Sequence, residues 1–372
     1  MSLFALSHAG GAAPGRAAVV DQLAGNLCRC TGYRPIIAAA EAACTGAPDD
    51  AFAHSAAMRR AALAALGGEE DVFVGSDARF FAAPAQLDTL FSLMQRHPDA
   101  TLIGGATDVG LWLTKKLKEI KQIIWLGRVA GLDRIEETAD AVILGATVPV
   151  ARARDALAAL APDLGEVVRR FGSPQVRASG TVGGNIANGS PIGDLAPCLI
   201  ALGATVRLAS AGGERTLPLE AFFLDYGKQD RMPGEIVRAL IIPRPGADRT
   251  FRACKVSKRF DEDISAVLGA FCLTIHDGRI TDVCIAFGGM AATPRRAGAT
   301  EMALRGARLD DSAALERAIA MLARDFAPIS DARASAAYRL QVAGALLRKA
   351  VMESGGAPVT TTRVLAAAEA RP

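Results

Sequence analysis

The sequence is short of histidine and aromatic residues, and nothing in it pairs its cysteines; each shortage excludes something. The histidines are four, His8, His54, His97 and His276, too dispersed to gather around a metal. No Ser/His/Asp or paired-carboxylate constellation stands out. Seven cysteines make an odd set, and Cys198, Cys254, Cys272 and Cys284 sit singly in apolar runs, where buried thiols are common. No disulfide framework follows. Neither C-x-x-C nor the G-x-G-x-x-G dinucleotide fingerprint occurs. No apolar run approaches the roughly 18 residues of a spanning helix. The start, MSLFALSHAGG, has no basic region and too short an apolar segment for a signal peptide, so a cytoplasmic location is expected. The net charge is +3 with arginines scattered, which implies neither nucleic acid nor an acidic membrane as partner.

What the chain does have is glycine in two concentrated places. The stretch TVGGNIANGSPIGD, Thr181 to Asp194, holds four glycines. Glycine costs roughly 0.5–1 kcal/mol inside a helix or strand, so this composition predicts a loop. Asn185, Asn188 and Ser190 add short polar arms, and Asp194 is placed to cap the helix expected after it. The stretch LIGGATDVG, Leu102 to Gly110, has the same character. Each fits an ordinary loop between strands. Each also fits backbone that turns against a ligand, with adjacent N–H groups wrapping an anion. Together, about eighty residues apart, they suggest opposite walls of one long, phosphate-bearing cofactor site.

The length of 372 residues predicts two or three domains. SLFAL, DQLAGNL and IIAAAEAAC carry helical spacing, with Pro35 opening the last. The segment from Thr45 to about Gly68 fits a linker or surface helix. TLIGG, QIIWL, AVILGA, ATVRLA and EIVRALIIP read as strands; ARARDALAALA and DLGEVVRRF read as helices. From Thr250, FRACKVS, ISAVLGAFCLTI and ITDVCIAF read as an antiparallel meander with His276-Asp277-Gly278 at one turn. The end, DDSAALERAIAMLARDF and ARASAAYRLQVAGALLRKA, reads as helical. Cys28 and Cys30, in NLCRCTGY, fit either two incidental cysteines at a helix start or half of an iron–sulfur site, which takes four thiolates.

These stretches carry a resemblance. TVGGNIANGSPIGD and LIGGATDVG resemble the two FAD-contacting loops of xanthine dehydrogenases and related molybdenum hydroxylases. NLCRCTGY resembles the second cysteine pair of their helical 2Fe–2S domain. VSKRFDEDISAV (256–267), AFGGMAATPRRA (286–297) and DARASAAYR (331–339) resemble further motifs of the family, in the family's order. Iron–sulfur and flavin motifs on one chain resemble the small subunit of bacterial two-subunit xanthine dehydrogenases. The implied fold class is α+β: a remnant of the helical 2Fe–2S domain (1–46), a linker (47–70), a two-part FAD-binding domain of the vanillyl-alcohol-oxidase/PCMH type (71–245), then a C-terminal antiparallel sheet with helices (248–355).

The resemblance implies that Leu102, Ile103, Gly104, Gly105, Ala106, Thr107, Asp108 and Val109 run along the FAD pyrophosphate and ribityl chain. Thr181, Val182, Gly183, Gly184 and Asn185 form the second clamp. Phe171 aligns with an aromatic residue that packs on the flavin, though a core position explains it too. Asp194 aligns with an aspartate near FAD, and Ser190 lies where a nicotinamide would approach. Lys258 and Arg259 fit a role serving the cofactors, and a charged strand end on solvent explains them equally well. Cys28 and Cys30 are the implied metal ligands. Family members carry a ferredoxin-type domain and a C-x-x-C pair ahead of the segment like SLFAL. With neither in this sequence, neither cluster is expected on the chain as given. The implied function is a relay in which FAD takes electrons from purine oxidation and passes hydride to NAD. The implied partner is a molybdenum-bearing large subunit in a two-plus-two heterotetramer. A free-standing FAD oxidoreductase, the flavin subunit of a carbon monoxide dehydrogenase-like hydroxylase, and a non-catalytic remnant holding a partner are the alternatives.

Overall fold

A computed structural model describes residues 1–9, 13–68 and 70–363. Short helices come first: α1 (Ser2–Ser7), α2 (Arg16–Leu23), α3 (Tyr33–Ala43), α4 (Ala51–His54) and α5 (Ala56–Ala65). Asp50 starts α4 by accepting the N–H groups of Phe52 and Ala53. No residue of α5 is buried. An alanine-rich helix without large apolar anchors has no face to bury, so the stretch expected as a linker is mostly surface helix.

A four-stranded sheet follows, from β1 (Val72–Ser76), β2 (Arg79–Ala83), α6 (Leu87–Arg96), β3 (Thr101–Ile103), α7 (Val109–Thr114) and β4 (Gln122–Trp125). Its order is β1-β2-β4-β3, with β4 parallel to both β2 and β3. Leu90, Phe91 and Leu93 of α6 close a small core over Phe80, Ala82 and Ile124.

The second sheet is antiparallel, in the order β5-β6-β11-β7-β8. It begins with β5 (Ile135–Glu137) and β6 (Ala141–Gly145). Five helices intervene: α8 (Val150–Leu160), α9 (Pro162–Arg169), α10 (Pro174–Ser179), α11 (Val182–Asn188) and α12 (Leu195–Ala201). Then come β7 (Thr205–Ser210), β8 (Gly213–Pro218), α13 (Leu219–Phe222), the pair β9 (Phe223–Asp225) and β10 (Lys228–Gln229), and β11 (Ile236–Pro243). Pro162 and Pro174 open α9 and α10, where a fixed φ and a missing N–H cost nothing.

The third sheet contains the expected three-strand meander, β12 (Arg249–Val256), β13 (Val267–His276) and β14 (Arg279–Gly288), and adds an unexpected short β15 (Arg295–Arg296), all antiparallel in sequence order. Asp277 (φ 49°) and Gly278 (φ 70°) make the two-residue turn, as the Asp-Gly pair predicts. Helices α14 (Gly298–Leu304), α15 (Ser312–Asp325), α16 (Ala336–Ser354) and α17 (Val359–Thr362) complete the described chain.

Strand β13 explains how the last two sheets are joined. Its first seven residues are all buried, although an antiparallel strand often leaves one face in water. Leu268, Ala270 and Cys272 belong to the core beneath α8, α9 and α12. The alternate residues Val267, Phe271 and Leu273 belong to a second core under α15 and α16. One strand therefore serves two cores, which seats α12 and its first residues firmly against the third sheet.

Candidate functional site

The two glycine-rich stretches touch. A Cβ on Gly105 would stand 1.8 Å from the Ser179 carbonyl oxygen, and one on Gly104 would stand 2.8 Å from Thr181 Oγ1. Only glycine allows this approach. Trp125 Nε1 donates to the Gly104 carbonyl at 3.0 Å and fixes the loop from the β4 side. Ala106 has φ 58°, a conformation that costs a residue with a Cβ about 1 kcal/mol or more. Among the described residues, the N–H groups of Gly104, Gly105, Ala106, Thr107 and Asp108 have no protein acceptor. Thr107 and Asp108 are exposed, so this is backbone offered outward. A run of unpaired N–H groups suits an anion such as a pyrophosphate.

The second stretch is built differently, and it corrects the expectation of a loop. Residues Val182–Asn188 are helix α11, opened by the Thr181 hydroxyl accepting the Gly184 N–H at 3.1 Å. The helix ends at Gly189, whose φ of 61° permits the left-handed turn. Val182 N–H donates to Val148 O, Gly183 N–H to Ala146 O, and Asn185 N–H to Thr181 O. The donors here are spent inside the protein. Gly183 faces inward, where a Cβ would meet Ala146 Cβ at 2.5 Å. The open polar feature is a side chain: Asn185 Oδ1 is buried with no hydrogen-bond partner among the described residues. Ser190 lies half-buried in the next turn, its Oγ accepting the Ile192 N–H at 3.4 Å.

Asp194 does not cap α12 with its side chain, contrary to expectation. Its carboxylate turns to the third sheet instead, where Lys255 Nζ lies 2.6 Å from Oδ2 and Ser265 Oγ donates to Oδ1 at 2.5 Å. Both charged groups are buried, so each needs the other. Lys258 is exposed and donates to the Ala332 carbonyl. The lysine beside Asp194 is thus Lys255, three residues earlier. Sequence reasoning passed over it, yet the signal was there. Phe251, Ala253 and Lys255 alternate along β12 and all are buried. A lysine in register with core residues calls for a carboxylate partner.

The turn after α9 is held by arginines. Arg170 donates to the carbonyls of Phe260 (2.8 Å) and Lys255 (3.1 Å), with its guanidinium 4.1 Å from the Phe260 ring centre. Arg177 donates to Gly172 O at 3.0 Å and Phe171 O at 3.3 Å. Burial lowers the pKa of Arg170 and of Arg177, with carboxylates opposing. The hydrogen-bonded Glu166 carboxylate raises that of Arg169. Asp21 of α2 lies 3.2 Å from Arg169 and 3.6 Å from Arg177, tying the first helices to this turn. Phe171, within the turn, is half-buried and packs on the main core.

Cys28 Sγ accepts the Gly32 N–H at 3.3 Å, and Cys30 is exposed. A 2Fe–2S cluster takes four ligands. Among the described residues no group of three or more His, Cys, Asp or Glu is placed to hold a metal. Nor, among those residues, is any helix long and apolar enough to cross a membrane.

Comparison with known proteins identifies the family. Residues 76–245 match the family described as FAD binding domain in molybdopterin dehydrogenase, and residues 252–354 match the CO dehydrogenase flavoprotein C-terminal domain. The nicotine 6-hydroxylase medium subunit of Paenarthrobacter nicotinovorans is 30% identical over 74% of this chain and 96% of its own. Xanthine dehydrogenase of Oryza sativa subsp. japonica is 28% identical over 83% of this chain. The matched part is only 28% of the length of that enzyme. A crystal structure of Cu,Mo-CO dehydrogenase in its cyanide-inactivated form contains a chain that superposes with a TM-score of 0.69 at 27% identity. The match covers 75% of this chain and 98% of that one.

Proposed function

The chain belongs to the FAD-binding subunits of the molybdenum hydroxylase family, and on that premise we propose that it is the electron outlet of a xanthine dehydrogenase-like enzyme. In this reading a partner chain with the molybdenum cofactor oxidises a purine, and NAD is the final acceptor. The assembly is a heterotetramer of two chains of each kind. The observation that carries the reading is the row of N–H groups from Gly104 to Asp108 that find no acceptor among the described residues, set against Ser179–Thr181.

Bound FAD supplies the step between single electrons and a two-electron hydride. The chain's own residues do the rest. Leu102 to Val109 lay their backbone along the diphosphate, where N–H dipoles offset its charge without a lysine. Thr181 to Asn185 form the facing wall, with Asn185 Oδ1 free to accept a hydrogen bond. Phe171 offers an apolar face to the ring. Asp194, held by Lys255 and Ser265, gives that wall a fixed polar end. The turn at Ser190 is where a nicotinamide approaches. No residue is asked to act as acid or base.

A second reading, a flavin subunit of the carbon monoxide dehydrogenase or nicotine hydroxylase kind, is favoured by the near end-to-end match to a medium subunit. Purified chain separates the two. Both predict about one FAD per chain by absorbance after denaturation. Only the first predicts NADH oxidation with an artificial dye as acceptor. Protein that is folded and cannot be loaded with FAD would overturn both.

A further inference from the structure

Three of the sequence motifs, FDEDISAV, AFGGM and SAAYR, meet at one guanidinium. Arg339, near the start of α16, is 1% exposed. Its Nη1 donates to the Ala266 carbonyl at 2.5 Å and to the Gly289 carbonyl at 2.8 Å. Its Nη2 donates to Asp331 Oδ1 at 2.7 Å. The two carbonyls stand just before the start of β13 and just past the end of β14, and from each the chain reaches one end of the same turn. The Gly289 N–H donates to the Pro191 carbonyl at 2.8 Å. Ser265, next to Ala266, donates to Asp194 Oδ1. Gly289 has φ 80°, and a Cβ there would lie 2.4 Å from the Ala266 oxygen. A Cβ on its neighbour Gly288 would stand 3.3 Å from Pro197 Cγ.

We propose that Arg339 is a positioning residue for the 190–194 turn, pinning two strand ends that grip Pro191 on one side and Asp194 on the other. A planar fork suits the task, because it serves two carbonyls and a carboxylate at once; an ammonium is a point donor. The effect on turnover rests on the flavin reading above, since the turn is there assigned to the nicotinamide. The effect on the turn itself does not.

The test uses the full chain, with Arg339→Lys as the main variant and Asp331→Asn as the milder one. Asn at 331 keeps an acceptor for the N–H groups of Arg333 and Ala334 but loses the charge facing Arg339. In Arg339→Lys, amide exchange should speed up in 189–194 and at Gly289, while the interior of β13 stays protected. In FAD-replete protein the KM for NADH should rise about tenfold with kcat changed less. Asp331→Asn should give the same pattern at about twofold, and it carries the test if Arg339→Lys does not fold. Wild-type exchange across 189–194 in a folded variant would overturn the proposal. So would a uniform loss of stability and FAD with KM unchanged, which is what a purely structural arginine predicts. Wild-type protein without FAD would sink the flavin reading and leave the exchange result standing.

Discussion

The segments 102–110 and 181–194 share a composition and solve opposite problems. In the first, glycine leaves backbone donors free: Gly104 and Gly105 press their Cα atoms against Thr181 and Ser179, and the five N–H groups that follow the strand have no acceptor among the described residues. In the second, glycine lets a helix pack on its own protein, and the N–H groups of residues 182–185 are used internally. What the second segment offers is a side chain, Asn185, and a buried ion pair at its far end. Glycine content alone therefore does not identify a ligand loop. The fate of each donor does.

The largest break in this contrast should come from the anchor that only the second segment has. Lys255→Ala leaves the Asp194 carboxylate buried with Ser265 alone, and removing one member of a buried pair costs about 3–5 kcal/mol. Thermal unfolding should show a large fall in Tm. Lys255→Met with Asp194→Leu should recover most of it, because the charges then leave together. A single Lys255→Ala variant as stable as the parent would mean that water reaches the pair and the anchor is not dry.

Much of this arrangement was legible in the sequence, and the misses have physical causes. The strands at TLIGG, QIIWL and AVILGA and the three long strands from FRACKVS were readable because their apolar residues run or alternate over strand lengths, while the two-residue β15 was too short to read. Helix α11 was not, since VGGNIAN scores poorly as a helix by itself. Its stability comes from the Thr181 cap and from burial of Val182 and Ile186, and tertiary contact overrides propensity. Asp194 invited a capping role by its place before α12, yet its side chain found a lysine sixty-one residues away in sequence. No local pattern encodes such a pairing. The hairpin of β1 and β2 was also missed, because VFVGS and RFFAA are short and most of the β1 residues are exposed.

A smaller, more pointed break separates the two kinds of glycine. Gly105→Ala and Gly183→Ala each put a methyl into backbone, at 1.8 Å from Ser179 O and 2.6 Å from Ala146 O. Overpacking of this kind costs about 1–3 kcal/mol. The two should differ in what fails. Gly105→Ala should lose FAD, because the loop with the free donors must move; Gly183→Ala should lose Tm and keep the flavin it has room for. Flavin absorbance and melting, measured on both, read the difference. Loss of FAD from both to the same extent would mean the segments act as one unit.

The smallest expected effect is the sharpest test, because two terms nearly cancel. Gly184 is exposed on the first turn of α11, and a Cβ there would stand 2.7 Å from Thr181 Oγ1. That hydroxyl is the cap, holding the Gly184 N–H at 3.1 Å. Alanine at this position should gain about 0.5–1 kcal/mol through helix preference. Displacing the threonine hydroxyl should cost about 1 kcal/mol through the weakened cap. Gly184→Ala should therefore melt within a few degrees of the parent and keep its FAD. Thr181→Ala, which removes the cap without the gain, should fall by the full cap term. If Gly184→Ala instead folds normally and loses its flavin, the cofactor lies against the helix at that residue. The second segment would then be a ligand wall through its backbone, and the contrast with the first would fail.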